Sequence, residues 1–172
     1  EVMQNPLAVT DEFGEWLELH NLSDAALSLH GLWIGDNGSD SHLIDEALII
    51  EPGGYVVLGA SADLGVGLSA DYVWSGMYLG NAADAIRLEV EGVLIDAIDY
   101  DGGPAWPDPT GASMALDLLA LDATSNDDGA RWCEGLVVYA GGDLGTPGAP
   151  NLVCGELPPS VYKNKMCAED KT

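Results

Sequence analysis

Short runs in which apolar and polar residues alternate limit how this chain can fold more than any other feature. In the run Trp-Leu-Glu-Leu-His at 16–20, Leu17 and Leu19 alternate with Glu18 and His20, and Asn21 follows. A period of two places successive side chains on opposite faces of a strand, whereas a helix needs a period near 3.6. The run therefore predicts a half-buried β-strand that ends in a turn at Asn21.

The same alternation recurs along the chain between Gly, Asn, Asp and Pro residues, which favour turns. It predicts strands at 16–20, 27–34, 43–51, 55–58, 85–90, 93–100 and 113–118, with a further short strand at 72–74 inside a Gly-, Ser- and Ala-rich crossing loop, 59–79. The clearest hairpin covers 86–100, where Glu91-Gly92 supplies the turn. These strands predict an all-β protein, an immunoglobulin-like β-sandwich of about seven to nine short, mostly antiparallel strands.

The charge is strongly one-sided. The chain has 29 Asp and Glu against 5 Lys and Arg, a formal net charge of −24. Nucleic acids and anionic membranes are recognised by clustered Lys and Arg, so the composition disfavours both as partners. No apolar run reaches the roughly 20 residues of a transmembrane helix. The acidic surface favours cationic partners and divalent metal ions, or it reflects adaptation to a salty medium.

Three cysteines bear on location and domain organisation. Cys133 and Cys154 bracket a Gly- and Pro-rich stretch, which favours a disulfide and hence an oxidising, extracytoplasmic setting (secreted or cell surface). Cys167 is then a free thiol or pairs outside this chain. Periodicity is lost beyond Gly155, so we expect one domain at 1–155 and a tail or linker at 156–172.

An ordered series of segments resembles the lamin tail domain in its bacterial form. The segments are EWLELHN (15–21), LSLHGLWIGD (27–36), PGGYVVLGA (52–60), GNAADAIRL (80–88), GVLIDAIDY (92–100), GPAWPDPTGASMAL (103–116) and GTPGAPN (145–151). The resemblance covers roughly 1–151 and implies an immunoglobulin-like, non-catalytic interaction module of secreted or surface-anchored bacterial proteins. Leu32 and Ala112 depart from it, because the family often has Trp and Arg there.

Signatures of catalysis are missing from the sequence, which lacks a G-x-S-x-G elbow, an H-E-x-x-H pair, a P-loop and a G-x-G-x-x-G turn. Calcium is the sharper hypothesis, because Ca²⁺ prefers hard oxygen ligands on Gly-rich loops. Three loops qualify, and none is an EF-hand. Their candidate ligands are Asp36, Asn37 and Asp40; Asp99 and Asp101; and Asn126, Asp127 and Asp128. The alternative is that Asp, Asn and Gly dominate any solvated turn.

Two acids and two tryptophans receive separate predictions. Asp84 and Asp96 lie beside core positions of the hairpin, with Asp96 on the face of Leu94 and Ile98, so both are expected to be structural groups that accept hydrogen bonds from loop amides. Trp16 and Trp33 alternate with inward leucines, which makes them candidates for an exposed ligand platform that could stack on sugar rings.

The sequence therefore favours a non-enzymatic binding or scaffolding module, of an adhesion type, on an extracytoplasmic bacterial protein. Its partner is expected to be a protein or another cell-surface component. The alternative is a calcium- or carbohydrate-binding module with a glycan ligand, and a hydrolase is disfavoured. No cofactor is required by this interpretation, apart from Ca²⁺ in the alternative.

Overall fold

A computed structural model describes residues 1–65 and 67–158 of the chain. The strands are β1 (Val2–Met3), β2 (Trp16–His20), β3 (Leu27–Ser28), β4 (Leu32–Gly35), β5 (Ser41–Leu43), β6 (Ile49–Ile50), β7 (Tyr55–Gly59), β8 (Tyr72–Val73), β9 (Asp84–Val90), β10 (Val93–Tyr100), β11 (Met114–Leu116) and β12 (Trp132–Glu134). The helices are α1 (Asp11–Gly14) and 3₁₀ turns at Ser125–Asp127, Gly129–Arg131 and Ala140–Gly142. In these ranges, no helix has the length and hydropathy to cross a membrane. Nearly all of the expected tail, including Cys167, lies outside them.

Two sheets pack face to face. One has six strands in the order β12-β11-β1-β2-β7-β8, the other has four in the order β10-β9-β4-β5, and β3 and β6 form a small third sheet. All pairs are antiparallel except β7 with β8. The main core joins Leu17 and Leu58 of the first sheet to Ile34, Ile86 and Ile98 of the second. The predicted all-β, immunoglobulin-like sandwich is confirmed.

The strand predictions differ in accuracy with strand length. β2 and β10 have the predicted bounds, whereas the runs 27–34 and 43–51 each divide into two short strands. The first run breaks at Gly31, whose positive φ of 87° turns the chain between β3 and β4. Strands β1 and β12 were not predicted, because two or three residues are too few to show a period. The count is therefore twelve described strands rather than seven to nine.

The predicted hairpin between β9 and β10 is present and contains one irregularity. Glu91 and Gly92 both have positive φ, 53° and 76°, as a tight two-residue turn requires. A bulge at Ile95 then shifts the register, so that Leu94 pairs with Glu89 and Asp96 pairs with Leu88. Asp96 therefore shares a face with Ile98 but not with Leu94, and that part of the prediction was wrong.

A second, smaller core lies on the outer face of the six-stranded sheet. It contains Met3, Trp16, Val57 and Leu64, and Tyr139 packs against it. Loop residues thus cover the face of β2 that the alternation had assigned to solvent. Both faces of this central strand are buried.

Candidate functional site

The predicted calcium ligands are distributed over turns, where they accept hydrogen bonds from the chain itself. Asp36 accepts from the amides of Gly38 and Asp40, at 2.8 and 3.0 Å. Asp101 accepts from the amides of Gly103 and Trp106, both at 3.0 Å. Desolvation raises the pKa of Asp101, but the backbone hydrogen bonds outweigh it and the net shift is downward. These carboxylates stabilise turns.

The structure brings two of the predicted calcium loops together around a cation of the chain. Asn37 donates to Asp99 at 2.7 Å, and Arg87 donates to Asn37 at 2.5 Å and lies 3.4 Å from Asp99. Among the described residues, no group of three or more His, Cys, Asp or Glu side chains could hold a metal ion. The structure therefore does not support the calcium prediction. Asp36, Asn37, Asp40, Asp101, Asp127 and Asp128 lie in solvated turns, Asp99 lies in strand β10 beside Arg87, and Asn126 packs inside the protein.

The predicted tryptophan platform is wrong for Trp16. This side chain is 0% exposed, and its Nε1 donates to the hydroxyl of Tyr139 at 3.1 Å. Trp33 is half-buried on the outer face of the four-stranded sheet, where it pairs with the exposed Leu43 and lies over Gly35. Only Trp33 remains available for contact with a ligand.

The predicted disulfide is present. Cys133 and Cys154 are bonded, with a Cα–Cα distance of 5.8 Å. The bond attaches the segment after residue 150 to the edge strand β12 and closes the loop that contains Asp143 and Gly148.

Asp84 and Asp96 both act as structural acceptors. Asp84 accepts from the amides of Gly80 and Ala85, at 2.7 and 2.8 Å. Asp96 accepts from the side-chain amide of Asn126 at 3.0 and 2.9 Å and from the amide of Ala97 at 2.9 Å. The loop residue that donates to Asp96 therefore does so through its side chain, that of Asn126, whereas the sequence had predicted backbone amides as donors.

Replacing Asp84 tests this structural role. We expect Asp84→Ala to lower the free energy of unfolding by about 1–2 kcal/mol, because the Gly80 amide loses its acceptor. Asp84→Asn keeps an acceptor oxygen and should cost less. Urea denaturation of both variants measures the difference, and equal stability of Asp84→Ala and the wild type would contradict the assignment.

Two glutamates that sequence reasoning did not single out as buried hold loops against the sheets. Glu15 is 2% exposed and accepts from the amide of Leu79 at 3.0 Å. Glu18 is 8% exposed and accepts from the amide of Gly148. Desolvation by burial is the main cause that raises the pKa of each carboxyl to about 7. No local signal identifies them, because burial comes from loops distant in sequence.

An open cleft of about 320 Å³ lies between the two large sheets. Leu19 of β2 and Leu88 of β9 both line it, beside the core residues Leu32, Ile86 and Ile98. Three exposed apolar side chains line its mouth, namely Leu22, Leu27 and Ile95. The volume falls at the lower end of the range for ligand pockets, about 300–1,000 Å³.

One group of polar residues in the lining of the cleft lies at the first 3₁₀ turn, the loop before it and β10. Asp96, Asp122 and Asn126 belong to its lining. Burial is the main cause that raises the pKa of Asp96, partly opposed by the hydrogen bond from Asn126. Asn126 is 7% exposed, and its Oδ1 has no hydrogen-bond donor within the described part of the chain. The lining of the cleft therefore combines apolar side chains with acidic ones, and the Asn126 Oδ1 beside it is itself buried.

Next to the cleft lies the free edge of β10. Its first three residues, Val93, Leu94 and Ile95, are 62%, 51% and 54% exposed, and in residues 1–65 and 67–158 no strand pairs with that side. The opposite edge, β5, is covered, because Ser41 donates to the carbonyl of Gly76 at 3.2 Å. Exposed apolar edges of this kind are sites of strand addition.

Comparison with known proteins relates the chain to one family. The family model described as Lamin Tail Domain matches residues 1–102, more than half of the 172 residues. The matched part includes β1 to β10, and therefore the free edge and much of the cleft. The resembling segments at 103–116 and 145–151 lie beyond it. The family consists of immunoglobulin-like domains that are generally non-enzymatic, in agreement with the sandwich. A search of curated proteins finds no match.

Proposed function

We propose that this chain, which belongs to the lamin tail domain family, is a non-enzymatic binding module of adhesion or scaffolding type on an extracytoplasmic bacterial protein. Its partner is a protein that adds an extended, basic segment to the edge of β10. The observation that carries this proposal is the free edge itself, with three consecutive exposed apolar side chains at 93–95. The disulfide supports the extracytoplasmic setting.

Charge decides which kind of segment fits this edge. The chain carries a net charge of −24, so a second copy would be repelled and a segment rich in Lys and Arg attracted. In strand addition the backbone supplies the hydrogen bonds, while alternate side chains of the added strand contact the apolar patch. A segment that alternates apolar and basic residues meets both requirements.

The carbohydrate alternative rests on Trp33 alone, because Trp16 lies in the core. The calcium alternative has no group of ligands in the described ranges. The expectation of one domain at 1–155 followed by a tail belongs to the same proposal, since it leaves the β10 edge on the folded part.

Binding of short peptides tests the β10 edge. We expect a peptide of alternating Val and Lys to bind the protein, and one of alternating Val and Glu not to bind. Leu94→Lys and Ile95→Lys should each weaken binding of the Val–Lys peptide at least tenfold, because the new lysine repels the peptide and blocks strand pairing. Fluorescence anisotropy of labelled peptides at physiological ionic strength measures these affinities.

Leu43→Lys is the matched control for these variants. It makes the same charge change at an exposed leucine on the covered edge β5, so it should leave the affinity within about twofold. Equal weakening by Leu43→Lys would show general charge attraction and contradict the proposal. Dimerisation of the chain through β10, seen by sedimentation, would contradict it as well.

A further inference from the structure

The cleft between the sheets opens beside the free edge of β10, and one residue belongs to both. Ile95 is among the three exposed apolar residues of that edge, and it also lines the cleft. The next three residues of β10, at 96–98, line the cleft as well. A strand added to this edge therefore runs along the mouth of a cavity of about 320 Å³.

The pairing of β10 with β9 shows which face of an added strand meets the cleft. Asp96 pairs with Leu88, and both residues line the cleft. Leu94 pairs with Glu89, which pairs in turn with Trp33 on the outer face of the sheet. Paired residues of neighbouring strands share a face of the sheet. Every second side chain of an added strand is therefore directed to the side of the cleft, and the others lie on the outer face.

Asp96 limits how far along β10 an added strand can pair. Its Oδ1 accepts from the amide of Ala97 at 2.9 Å, and the side chain of Asn126 donates to the same carboxylate at 3.0 and 2.9 Å. The amide of Ala97 is thus already used within the chain. Pairing is left to residues 93–95, so the added strand ends its pairing at Ile95, where the cleft opens.

The walls of the cleft suit a large apolar side chain. Leu19, Leu32 and Ile86 line it, and the exposed Leu22 and Leu27 lie at its mouth. Native cores are packed to crystal density and hold few voids, so this open volume is available to a group from outside. Aromatic and large aliphatic side chains that fill such pockets supply much of the affinity of protein interfaces.

We propose that the segment which pairs with β10 places one bulky apolar side chain, such as Trp, in the cleft as the anchor of the interface. This inference rests on the proposed function and deepens it, since the net charge of −24 selects basic segments and the cleft selects among them. The partner segment alternates apolar and basic residues and carries its bulky residue at an apolar position. A shift of one residue would direct its lysines to the cleft, so the register is fixed.

Three peptides test the anchor with the full chain. The parent peptide alternates Val and Lys, the second has Trp in place of a central Val, and the third has Trp in place of the neighbouring Lys. We expect the second to bind about tenfold or more tightly than the parent, because its Trp fills the cleft. The third should bind no more tightly than the parent, because its Trp lies on the outer face. Fluorescence anisotropy measures the dissociation constants, and equal affinities of the second and third peptides would overturn the proposal.

Variants of the protein locate the gain in affinity. Leu88→Trp fills the cleft from β9 and should reduce the advantage of the second peptide to less than about twofold, with the affinity of the parent peptide kept within about threefold. Leu43→Trp adds the same group at an exposed position that pairs with Trp33, and it should preserve the advantage. An undiminished advantage in a Leu88→Trp variant whose circular dichroism is that of the wild type would overturn the proposal.

Cross-linking locates the anchor in the unaltered chain and does not depend on how a variant folds. A benzophenone amino acid takes the place of the central Val of the parent peptide. Mass spectrometry should then find cross-links to the lining of the cleft, at Leu19, Leu32 or Leu88. Cross-links confined to the outer face, at Arg87 or Glu89, would overturn the proposal.

The same measurements separate failure of the anchor from failure of the β10 edge. Binding of the parent peptide that Leu94→Lys weakens, without any gain from Trp, would overturn the anchor and leave the edge in place. Binding of the parent peptide that Leu94→Lys leaves unchanged would overturn the proposed function and the anchor with it. Decanol binding that Leu88→Trp abolishes, with no gain from Trp in the peptide, would assign the cleft to a small apolar molecule and overturn the anchor.

Discussion

Raising the pH from 5 to 8 is expected to destabilise the protein, by about 2 kcal/mol for each of Glu15 and Glu18. Burial raises the pKa of both carboxyls from 4.5 to about 7. Between these values the folded state holds more protons than the unfolded chain, so protons favour folding. This contribution is complete below about pH 4.5 and is lost as the pH rises through 7.

Glutamine variants identify the groups responsible. In Glu15→Gln and Glu18→Gln, an amide oxygen still accepts from Leu79 or Gly148, but no proton is bound or released. We expect the double variant to lose most of the dependence between pH 5 and 8. Urea denaturation at a series of pH values measures the free energy of unfolding for each protein.

Glu51→Gln is the control, because it removes one charge at an exposed position and tests general repulsion within the acidic chain. It should retain the wild-type pH dependence. Equal stability of the wild type at pH 5 and pH 8 would contradict the buried state of Glu15 and Glu18.

Below pH 3.8 the protein is expected to lose stability as the pH falls. The pKa values of Asp101 and Asp122 are lowered in the folded state, so acid protonates these carboxylates and removes their stabilising hydrogen bonds.

Removing the disulfide is expected to lower the free energy of unfolding by about 3 kcal/mol. The bond joins residues 21 positions apart, and loop closure of that length restricts the unfolded chain by this amount in the entropic model. In Cys133→Ala/Cys154→Ala, the melting temperature should fall by roughly 10 °C. Differential scanning calorimetry measures the change.

The disulfide loop also carries contacts to the start of the chain. Asp143 accepts from the amides of Leu7 and Ala8 at 3.1–3.3 Å, and Gly148 donates to Glu18. Reduction should therefore destabilise the wild type and leave the double alanine variant unchanged. Cys167→Ala serves as the control and should melt like the wild type. A reduced wild type with an unchanged melting temperature would contradict the stabilising role of the bond.

Local patterns were sufficient for several parts of the structure. The alternation in 16–20 and 93–100 identified β2 and β10 with their bounds, and Glu91-Gly92 identified the hairpin turn. These features depend on residues close in sequence, so the sequence alone contains their cause. The Cys133–Cys154 pair was also identified, since a Gly- and Pro-rich loop between two cysteines lets them meet.

The residues of the candidate site could be predicted from the sequence only in part. The acidic loops fulfilled the compositional requirement for calcium, yet their oxygens are used by neighbouring amides and by Arg87. The cleft received no prediction, because its walls come from strands far apart in the chain. The bulge at Ile95, which changes the face of Leu94, leaves no signal in the alternation either.

The sequence by itself determined which residues share a face of β2 and of β9, because in a strand without a bulge that depends only on the two-residue period of an extended backbone. Tertiary structure alone decided which faces are covered. Distant loops bury Trp16 and Glu18 on the outer face of β2, and the spacing of the two sheets leaves the inner cleft open. Burial is set by whatever packs on a face, and here those groups lie tens of residues away along the chain.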